Sequence, residues 1–178
     1  MLFVGGPTDA KYLRKAIEVL SDASMLEKFE IKFIGTSTPG GDEFSGDSSL
    51  KQTLAFLRSN TAYSQRRTLI IFDCDANHVS QKFGLVTTFG IPRNAANTTF
   101  KRGIENLFPE CAFLPVDYNS KKSTGNYGEK VESQTFLKAK CAERICTLQL
   151  DAGQGKELFS EFDGVVSEIE SWVESWAK

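Results

Sequence analysis

The residues from 68 to 75, Thr-Leu-Ile-Ile-Phe-Asp-Cys-Asp, constrain the fold of this chain more than any other segment. The run 68–72 is apolar on both faces of an extended chain, and Asp73 and Asp75 follow it directly. A strand of this kind is typical of the centre of a parallel sheet, where helices cover both sides. Ligands of such sheets bind at the carboxyl ends of the strands. The sequence therefore predicts a central strand that carries two carboxylates to a functional edge.

Alternating strand and helix patterns surround this central run. Residues 2–4 and 30–34 have the pattern of strands, whereas residues 12–20 and those from Leu50 onward repeat apolar positions at helical spacing. Residues 35–49 contain four glycines and predict a long loop. The order strand, helix, strand, helix, strand predicts an α/β fold with a mainly parallel central sheet flanked by helices.

The second half of the chain gives weaker patterns. They predict, in order, a strand over 85–89, a helical turn over 104–108, a strand over 112–116, a helix over 132–148 and an amphipathic C-terminal helix. The apolar stripe of the last helix is expected to pack on the sheet, with a partner interface as the alternative. We expect a single domain over 1–178, with a core of about 1–118 and a helical C-terminal part of about 130–178.

Composition excludes several classes of protein. Hydrophobic residues make up 40% of the chain, which excludes disorder as the main state. The net charge of −2 excludes nucleic-acid binding by bulk positive charge, but not by an acidic site that a metal neutralises. A single histidine and the lack of a Cys-x-x-Cys pair argue against a zinc site. The N-terminus lacks the features of a signal peptide and no apolar run is long enough to span a bilayer, so a cytoplasmic protein without membrane partners is expected.

Asp73 and Asp75 are the strongest candidates for chemistry. Because they are two residues apart, both carboxylates point to one face if the strand geometry persists. Two clustered carboxylates repel each other unless they are protonated or neutralised, which makes Mg²⁺ or Mn²⁺ a natural ligand. The alternative is that they cap a following helix or are solvated in a turn.

Three segments together resemble Toprim (topoisomerase–primase) domains, and most closely the OLD-family nucleases. Residues 3–13, Phe-Val-Gly-Gly-Pro-Thr-Asp-Ala-Lys-Tyr-Leu, are similar to the first Toprim motif, hydrophobic-Val-Glu-Gly-x-x-Asp. Residues 72–75, Phe-Asp-Cys-Asp, resemble the Asp-x-Asp motif, and residues 103–108 resemble an Ile-Glu-Asn segment downstream of it. The resemblance covers residues 1 to about 110 and implies a Toprim-like fold.

The resemblance also implies metal-dependent cleavage of nucleic-acid phosphodiesters, with Mg²⁺ or Mn²⁺ as cofactor. Asp73 and Asp75 would ligate the metal, Asp9 would ligate it or orient a ligand, and Glu105 would be a further catalytic acid. A lysine commonly completes such sites. Lys130 is the first choice here, because it follows the Gly-Asn-Tyr-Gly loop at 125–128 and precedes a predicted helix; Lys122 and Lys138 are rivals. Lys101 and Arg102, next to Glu105, are candidates for contacting the nucleic-acid backbone. By analogy with the family, the substrate would be DNA rather than RNA and the role antiviral defence; any ATPase would be a separate partner, and homo-oligomer formation stays open.

Gly5 departs from the Toprim pattern, because it stands where the first motif has its glutamate. Three interpretations follow. The domain is catalytically dead but still binds metal or a partner; it cleaves with one metal held by Asp73, Asp75 and Glu105; or the glycine is an introduced substitution that disables the enzyme. A glycine that only widens the turn is compatible with all three.

Two alternative functions stay open. The first is a non-catalytic Toprim module that binds or regulates a partner in a complex. The second is a phosphatase similar to haloacid dehalogenases, in which Asp73 would be the nucleophile and Asp75 the general acid. In that motif Asn77 stands where threonine or valine is expected. His78 could orient a phosphate, but a solvated turn histidine is the interpretation we favour.

Overall fold

The computed structural model describes residues 1–124 and 130–176. In chain order the strands are β1 (Leu2–Val4), β2 (Ile31–Phe33), β3 (Thr36–Thr38), β4 (Gly41–Glu43), β5 (Thr68–Phe72), β6 (Gln81–Phe83), β7 (Val86–Gly90), β8 (Tyr118–Thr124) and β9 (Lys130–Phe136). The α-helices are α1 (Pro7–Leu20), α2 (Gly46–Ser59), α3 (Lys138–Thr147), α4 (Ala152–Leu158) and α5 (Asp163–Glu174).

A five-stranded sheet with the order β2-β1-β5-β7-β6 forms the centre of the molecule. Its first four strands are parallel, and only the edge strand β6 is antiparallel to its neighbour. Every residue of β5 is buried, as expected of a strand covered on both faces. The prediction of an α/β fold with a mainly parallel sheet flanked by helices is confirmed.

The two faces of β5 belong to two different hydrophobic clusters. Leu69 and Ile71 point into the larger cluster, which contains α1, α3 and α5, while Ile70 and Phe72 point into a smaller one under α2. This alternation follows from the two-residue period of a strand. The sheet is therefore covered by α1 and its partner helices on one side and by α2 on the other.

The C-terminal amphipathic stripe packs on this larger cluster. Phe162, Val165 and Ile169 have no exposed side-chain surface, and Trp172 is nearly buried. The helix is not continuous, because α4 ends before a 3₁₀ turn at Ser160–Phe162 and α5 begins after it. The expectation that the stripe faces the chain's own core rather than a partner is confirmed.

The strand predicted over 112–116 is wrong. Two 3₁₀ turns, Glu110–Ala112 and Pro115–Asp117, occupy this part of the chain instead. Pro109 and Pro115 precede or begin the turns, and proline removes an N–H that a strand ladder needs. The buried Asp117 carboxylate accepts a hydrogen bond from the Leu114 N–H at 2.8 Å and pairs with Arg144. These bonds favour the turn over a strand.

The helix predicted over 132–148 is wrong in its first third. Residues up to Phe136 belong to β9, which pairs antiparallel with β8, and α3 begins only at Lys138. Val131 and Thr135 are β-branched, which favours a strand at these positions. The hairpin loop between the two strands lies outside the described residues.

The long glycine-rich loop contains a small hairpin of β3 and β4, and α2 begins earlier than predicted, at Gly46. Gly35 has a φ of 111°, and a Cβ atom there would lie 2.4 Å from the Glu43 carbonyl oxygen. Phe44, which follows the hairpin, has a φ of 54° and a side chain that is 79% exposed. Positive φ in a bulky residue is strained, and exposure of the ring gives no compensating burial.

None of the helices in the described part of the chain has the length and apolar character needed to cross a bilayer.

Replacing Phe44 by glycine should stabilise the protein. Glycine adopts positive φ without the steric cost that Phe44 bears, and no buried surface is lost. We expect the free energy of unfolding to rise by about 1 kcal/mol in urea titrations. Phe44→Ala is the matched control, because it keeps a Cβ at positive φ and should give no such gain. Equal destabilisation by both variants would contradict the strain argument.

Candidate metal centre

The strand order creates a switch point between β1 and β5. The chain leaves β1 for β2 on one side and later crosses to β5 on the other side, so these two strands are neighbours whose carboxyl ends meet. The helices α1 and α2 both begin at this edge, and the Gly46 N–H donates to the Gly5 carbonyl at 2.6 Å. Such a position is where open α/β sheets bind ligands.

A cleft of about 320 Å³ opens at this switch point. It is lined by residues that follow β1 and β5, by the start of α2 and by the start of α3: residues 5–9, Asp42, residues 45 and 46, Asp73, and residues 138 and 139. Segments far apart in sequence therefore converge on one cavity.

Three aspartates beside the cleft form a cluster that could hold a metal ion. Asp47, Asp73 and Asp75 each offer a carboxylate oxygen, and the three oxygens lie within 4.8 Å of one another. Asp47 accepts a bond from the Asp73 N–H at 3.4 Å, and Asp75 accepts one from the Gly103 N–H at 3.1 Å. All-oxygen carboxylate sets suit hard divalent cations such as Mg²⁺ and Mn²⁺.

The charges of this cluster are costly without a cation. Burial, followed by the nearby charge of Asp9, raises the pKa of Asp73 to about 8. Burial also raises the pKa of Asp47, and the charge of Asp75 acts in the same direction. Carboxylates that repel each other in a partly buried site gain most from a bound cation.

Lys138 supplies a positive charge on the other side of the cleft. Its Nζ lies 3.2 Å from Asp9 Oδ1 and 3.4 Å from Glu105 Oε1. The side chains of Asp9 and Glu105 are each only 5% exposed, whereas that of Lys138 is 43% exposed. Burial alone would lower the pKa of Lys138, but the two carboxylates outweigh it and raise this pKa above its usual value. Burial raises the pKa of Glu105, although Lys138 opposes the shift.

The structure thus brings four of the predicted site residues together, in two groups. Asp73 and Asp75 share the three-aspartate cluster, and Asp9 and Glu105 share Lys138. Asp9, expected to ligate a metal or orient a ligand, contacts the lysine rather than belonging to the three-aspartate cluster. Asp47 was missed, and its only signal in the sequence was its place as an acid in the loop that leads into α2.

Lys138, one of the two rival lysines, contacts Asp9 and Glu105. Lys130 makes no such contact among those described. Lys130 is the first residue of β9 and pairs with Thr124 at the outer end of the hairpin. It lies six residues before Phe136, which is roughly 20 Å along a strand. The other rival, Lys122, is on the same hairpin. The Gly-Asn-Tyr-Gly segment that suggested Lys130 lies outside the described residues.

The two proposed nucleic-acid contacts are at the margin of the site. Lys101 and Arg102 are exposed, and the next residue is Gly103, whose N–H binds Asp75. The loop before them is held by the buried Asn97 and Asn106; Asn106 Nδ2 donates to the Phe100 carbonyl at 2.6 Å. The backbone on either side of Lys101 and Arg102 is therefore held beside the aspartate cluster.

Position 5 has room for a side chain. A Cβ atom on Gly5 would lie 3.4 Å from Asp9 Oδ2 and 3.5 Å from Gly46 Cα, which are ordinary contact distances. Gly5 is not among the glycines at positive φ. The turn after β1 therefore does not require glycine, and a longer side chain at this position would border Asp9.

His78 is not the solvated turn residue that the sequence suggested. Its ring stacks on Phe72 with centroids 4.0 Å apart, and its Nε2 lies 2.7 Å from Thr88 Oγ1. Burial lowers the pKa of His78. The contacts are those of a partly buried packing residue.

No protein-family model matches this chain, and no curated protein or solved structure matches it at a significant level. The Toprim resemblance carried by the motifs therefore stays a prediction, and the functional argument rests on this chain's own residues.

Asp73→Asn should stabilise the metal-free protein. The pKa of Asp73 is higher in the folded state than in the unfolded state, so its ionised form destabilises the fold as pH rises from about 4 towards 8. Asparagine removes this charge. We expect a gain of about 2 kcal/mol at pH 8 and none at pH 4, measured by urea unfolding in EDTA. A variant that is less stable than the wild type at pH 8 would contradict the assignment.

Lys138→Met should destabilise the protein, because it leaves Asp9 and Glu105 buried without their cation. Breaking this partly exposed pair is expected to cost about 2 kcal/mol at pH 8. The loss should shrink as pH falls, because burial raises the pKa of Glu105 and its charge is lost at higher pH than that of a solvated glutamate. Lys130→Met is the control and should change the free energy of unfolding by less than about 0.5 kcal/mol. Equal effects of the two variants would show that Lys138 has no special role.

Proposed function

We propose that this chain is a Mg²⁺- or Mn²⁺-dependent nuclease of the Toprim type, related to the OLD-family nucleases and acting on DNA. The observation that carries the proposal is the cluster of Asp47, Asp73 and Asp75 at the switch-point cleft. Its place at the ends of parallel strands and the agreement of Asp73 and Asp75 with the Asp-x-Asp motif support it. A role in antiviral defence rests on analogy with the family alone.

Different residues of the cleft would have different roles in phosphodiester hydrolysis. Asp47, Asp73 and Asp75 would hold a divalent ion, which would supply a Lewis acid and lower the pKa of a bound water. Lys138, held by Asp9 and Glu105, offers a positive charge to the extra negative charge that develops on the phosphate oxygens in the transition state. Lys101 and Arg102 would contact the backbone and hold the scissile strand next to the cluster.

Glycine at position 5 favours an enzyme with a single metal. The usual glutamate is missing there, and Asp9 and Glu105 share their charge with the Lys138 ammonium. The aspartate cluster is then the remaining place for a cation among the described residues. We therefore expect activity to be weaker than with a glutamate at position 5.

A non-catalytic Toprim module that binds metal or a partner, including a separate ATPase, is the second candidate. Gly5 favours this candidate. Glycine in place of the glutamate of the first motif removes a carboxylate, although a Cβ atom at this position would make only ordinary contacts. This candidate predicts divalent-ion binding without strand cleavage.

Cleavage of supercoiled plasmid and of single-stranded DNA with Mg²⁺ or Mn²⁺ tests the proposal. The wild-type chain should cut, EDTA should stop the reaction, and Asp73→Ala should reduce the rate by about 100-fold or more, because a charge-stabilising ligand is lost. Glu157→Gln, a change of an exposed acid on α4, is the matched control and should leave the rate unchanged.

Gly5→Glu separates the two candidates. The Cβ position is free of clashes, so the variant should fold and should cleave faster than the wild type. Cleavage by Gly5→Glu alone would mean that the metal site is right and that glycine silences it. If neither chain cuts while Mn²⁺ still binds, the binding module replaces the nuclease. Cleavage by wild type that Asp73→Ala does not affect would contradict the proposed site.

A further inference from the structure

The hairpin of β8 and β9 stands apart from the central sheet. The two strands pair with each other over seven residues and form a sheet of their own. Residues 119–122 and 132–135 are all exposed, so the strands bury little surface. A free two-stranded hairpin is at best marginally stable in water, so this one depends on its attachment at the base. Such an arm contributes little to the core of the protein.

Aromatic packing fixes the base of this arm. Phe136, the last residue of β9, packs against Tyr118, Phe100 and Phe113, with ring centroids between 4.6 and 5.8 Å apart. Four rings in contact hold the two strand ends against the body of the protein. The arm thus leaves the surface from a fixed point.

The residues that follow Phe136 and Phe100 in the sequence belong to the candidate metal centre or lie at its margin. Phe136 comes two residues before Lys138, which contacts Asp9 and Glu105. Phe100 comes directly before Lys101 and Arg102 and three residues before Gly103, whose N–H binds Asp75. The base of the arm therefore lies at the margin of the cleft.

Most of the exposed side chains of the arm are of types that bind a phosphate backbone. Apart from Glu132, the exposed side chains described on the arm are cationic or neutral and polar: Lys121, Lys122 and Lys130, with Asn119, Ser120, Ser133, Gln134 and Thr135. These are the side-chain types that bind phosphate and sugar oxygens. The described acid on the arm is Glu132, directly across from Lys122. A chain with a net charge of −2 and an acidic cleft needs such a cationic region to attract an anionic polymer.

We propose that the β8–β9 hairpin is a substrate-holding arm that binds the sugar-phosphate backbone of a nucleic acid and guides it to the cleft. The inference rests on the proposed function, since it names the surface that holds the substrate of that same site. Lys122 and Lys130 lie on one face of the hairpin, because Lys122 pairs with Glu132 and Lys130 is two residues from Glu132 along β9. Together with Lys101 and Arg102 at the base, they form the track along which the backbone lies. Recognition is of phosphates, so binding is independent of sequence and sensitive to salt.

Equilibrium binding of a short fluorescent DNA duplex, in Ca²⁺ and over a series of salt concentrations, tests the arm. Replacing Lys122 and Lys130 together by glutamine removes two phosphate contacts on the same face and should flatten the slope of log Kobs against log salt by about 1.8. The matched control replaces Lys28 and Lys156, two exposed lysines that belong neither to the hairpin nor to the lining of the cleft, and should leave the slope unchanged. Glu132→Lys adds a positive charge to the arm and should tighten binding several-fold.

The proposal is overturned if the Lys122 and Lys130 variant binds DNA with the same slope as the control and Glu132→Lys gives no gain, or if the wild-type chain binds no DNA. That result would instead favour a protein partner for the hairpin. If the wild-type chain cuts DNA and the arm variant binds DNA as tightly as the wild type, the substrate-holding role of the arm is wrong but the proposed nuclease stands. If the chain binds DNA through the arm but does not cut it, the proposed nuclease is wrong but the role of the arm stands.

Discussion

Repulsion among five carboxylates at one edge of the sheet is the constraint on which the candidate site depends. Asp9, Asp47, Asp73, Asp75 and Glu105 converge where β1 and β5 end, and Asp73 takes unfavourable contributions from Asp9, Asp47 and Glu105. One lysine, Lys138, offsets part of this charge through Asp9 and Glu105. The other three aspartates lack an ion-pair partner among the described contacts, although backbone N–H groups donate to Asp47 and Asp75. A fold that keeps such a cluster sacrifices stability, which a bound cation would restore.

The strand order explains why these carboxylates lie close together. Parallel strands bring all their carboxyl ends to one edge, and the crossover between β2 and β5 makes β1 and β5 neighbours. The fully buried β5 fixes the direction in which Asp73 leaves the sheet. The aromatic base of the hairpin then places Lys138 and the 100–103 segment on the open side of the same edge. The site is thus a consequence of strand order together with one loop and one hairpin.

The sequence predicted the parts of this arrangement that depend on strong local patterns. The apolar run 68–72 can only be a buried strand, so the places of Asp73 and Asp75 followed from it. Asp47 was missed because its approach to Asp73 depends on how the 35–45 loop folds back, through a close glycine contact at Gly35 that no pattern encodes. Lys130 ranked before Lys138 because it follows the loop at 125–128 and precedes the helix predicted over 132–148, whereas residues 130–136 form a strand. Their strand conformation comes from pairing with β8, a contact between segments that the periodicity of either one does not show.

In the function proposed for this chain, Asp47, Asp73 and Asp75 together bind one divalent ion. Bound Mn²⁺ can be counted by electron paramagnetic resonance in the wild-type chain and in Asp47→Asn; Asp47 is the decisive position, because it enters the site from the three-dimensional arrangement and from no motif. We expect one Mn²⁺ per wild-type chain and a large loss of affinity in Asp47→Asn, with the control Glu157→Gln unchanged. A wild-type chain that binds no Mn²⁺, or an Asp47→Asn chain that binds it as tightly as the wild type, would show that the three aspartates do not form a metal site.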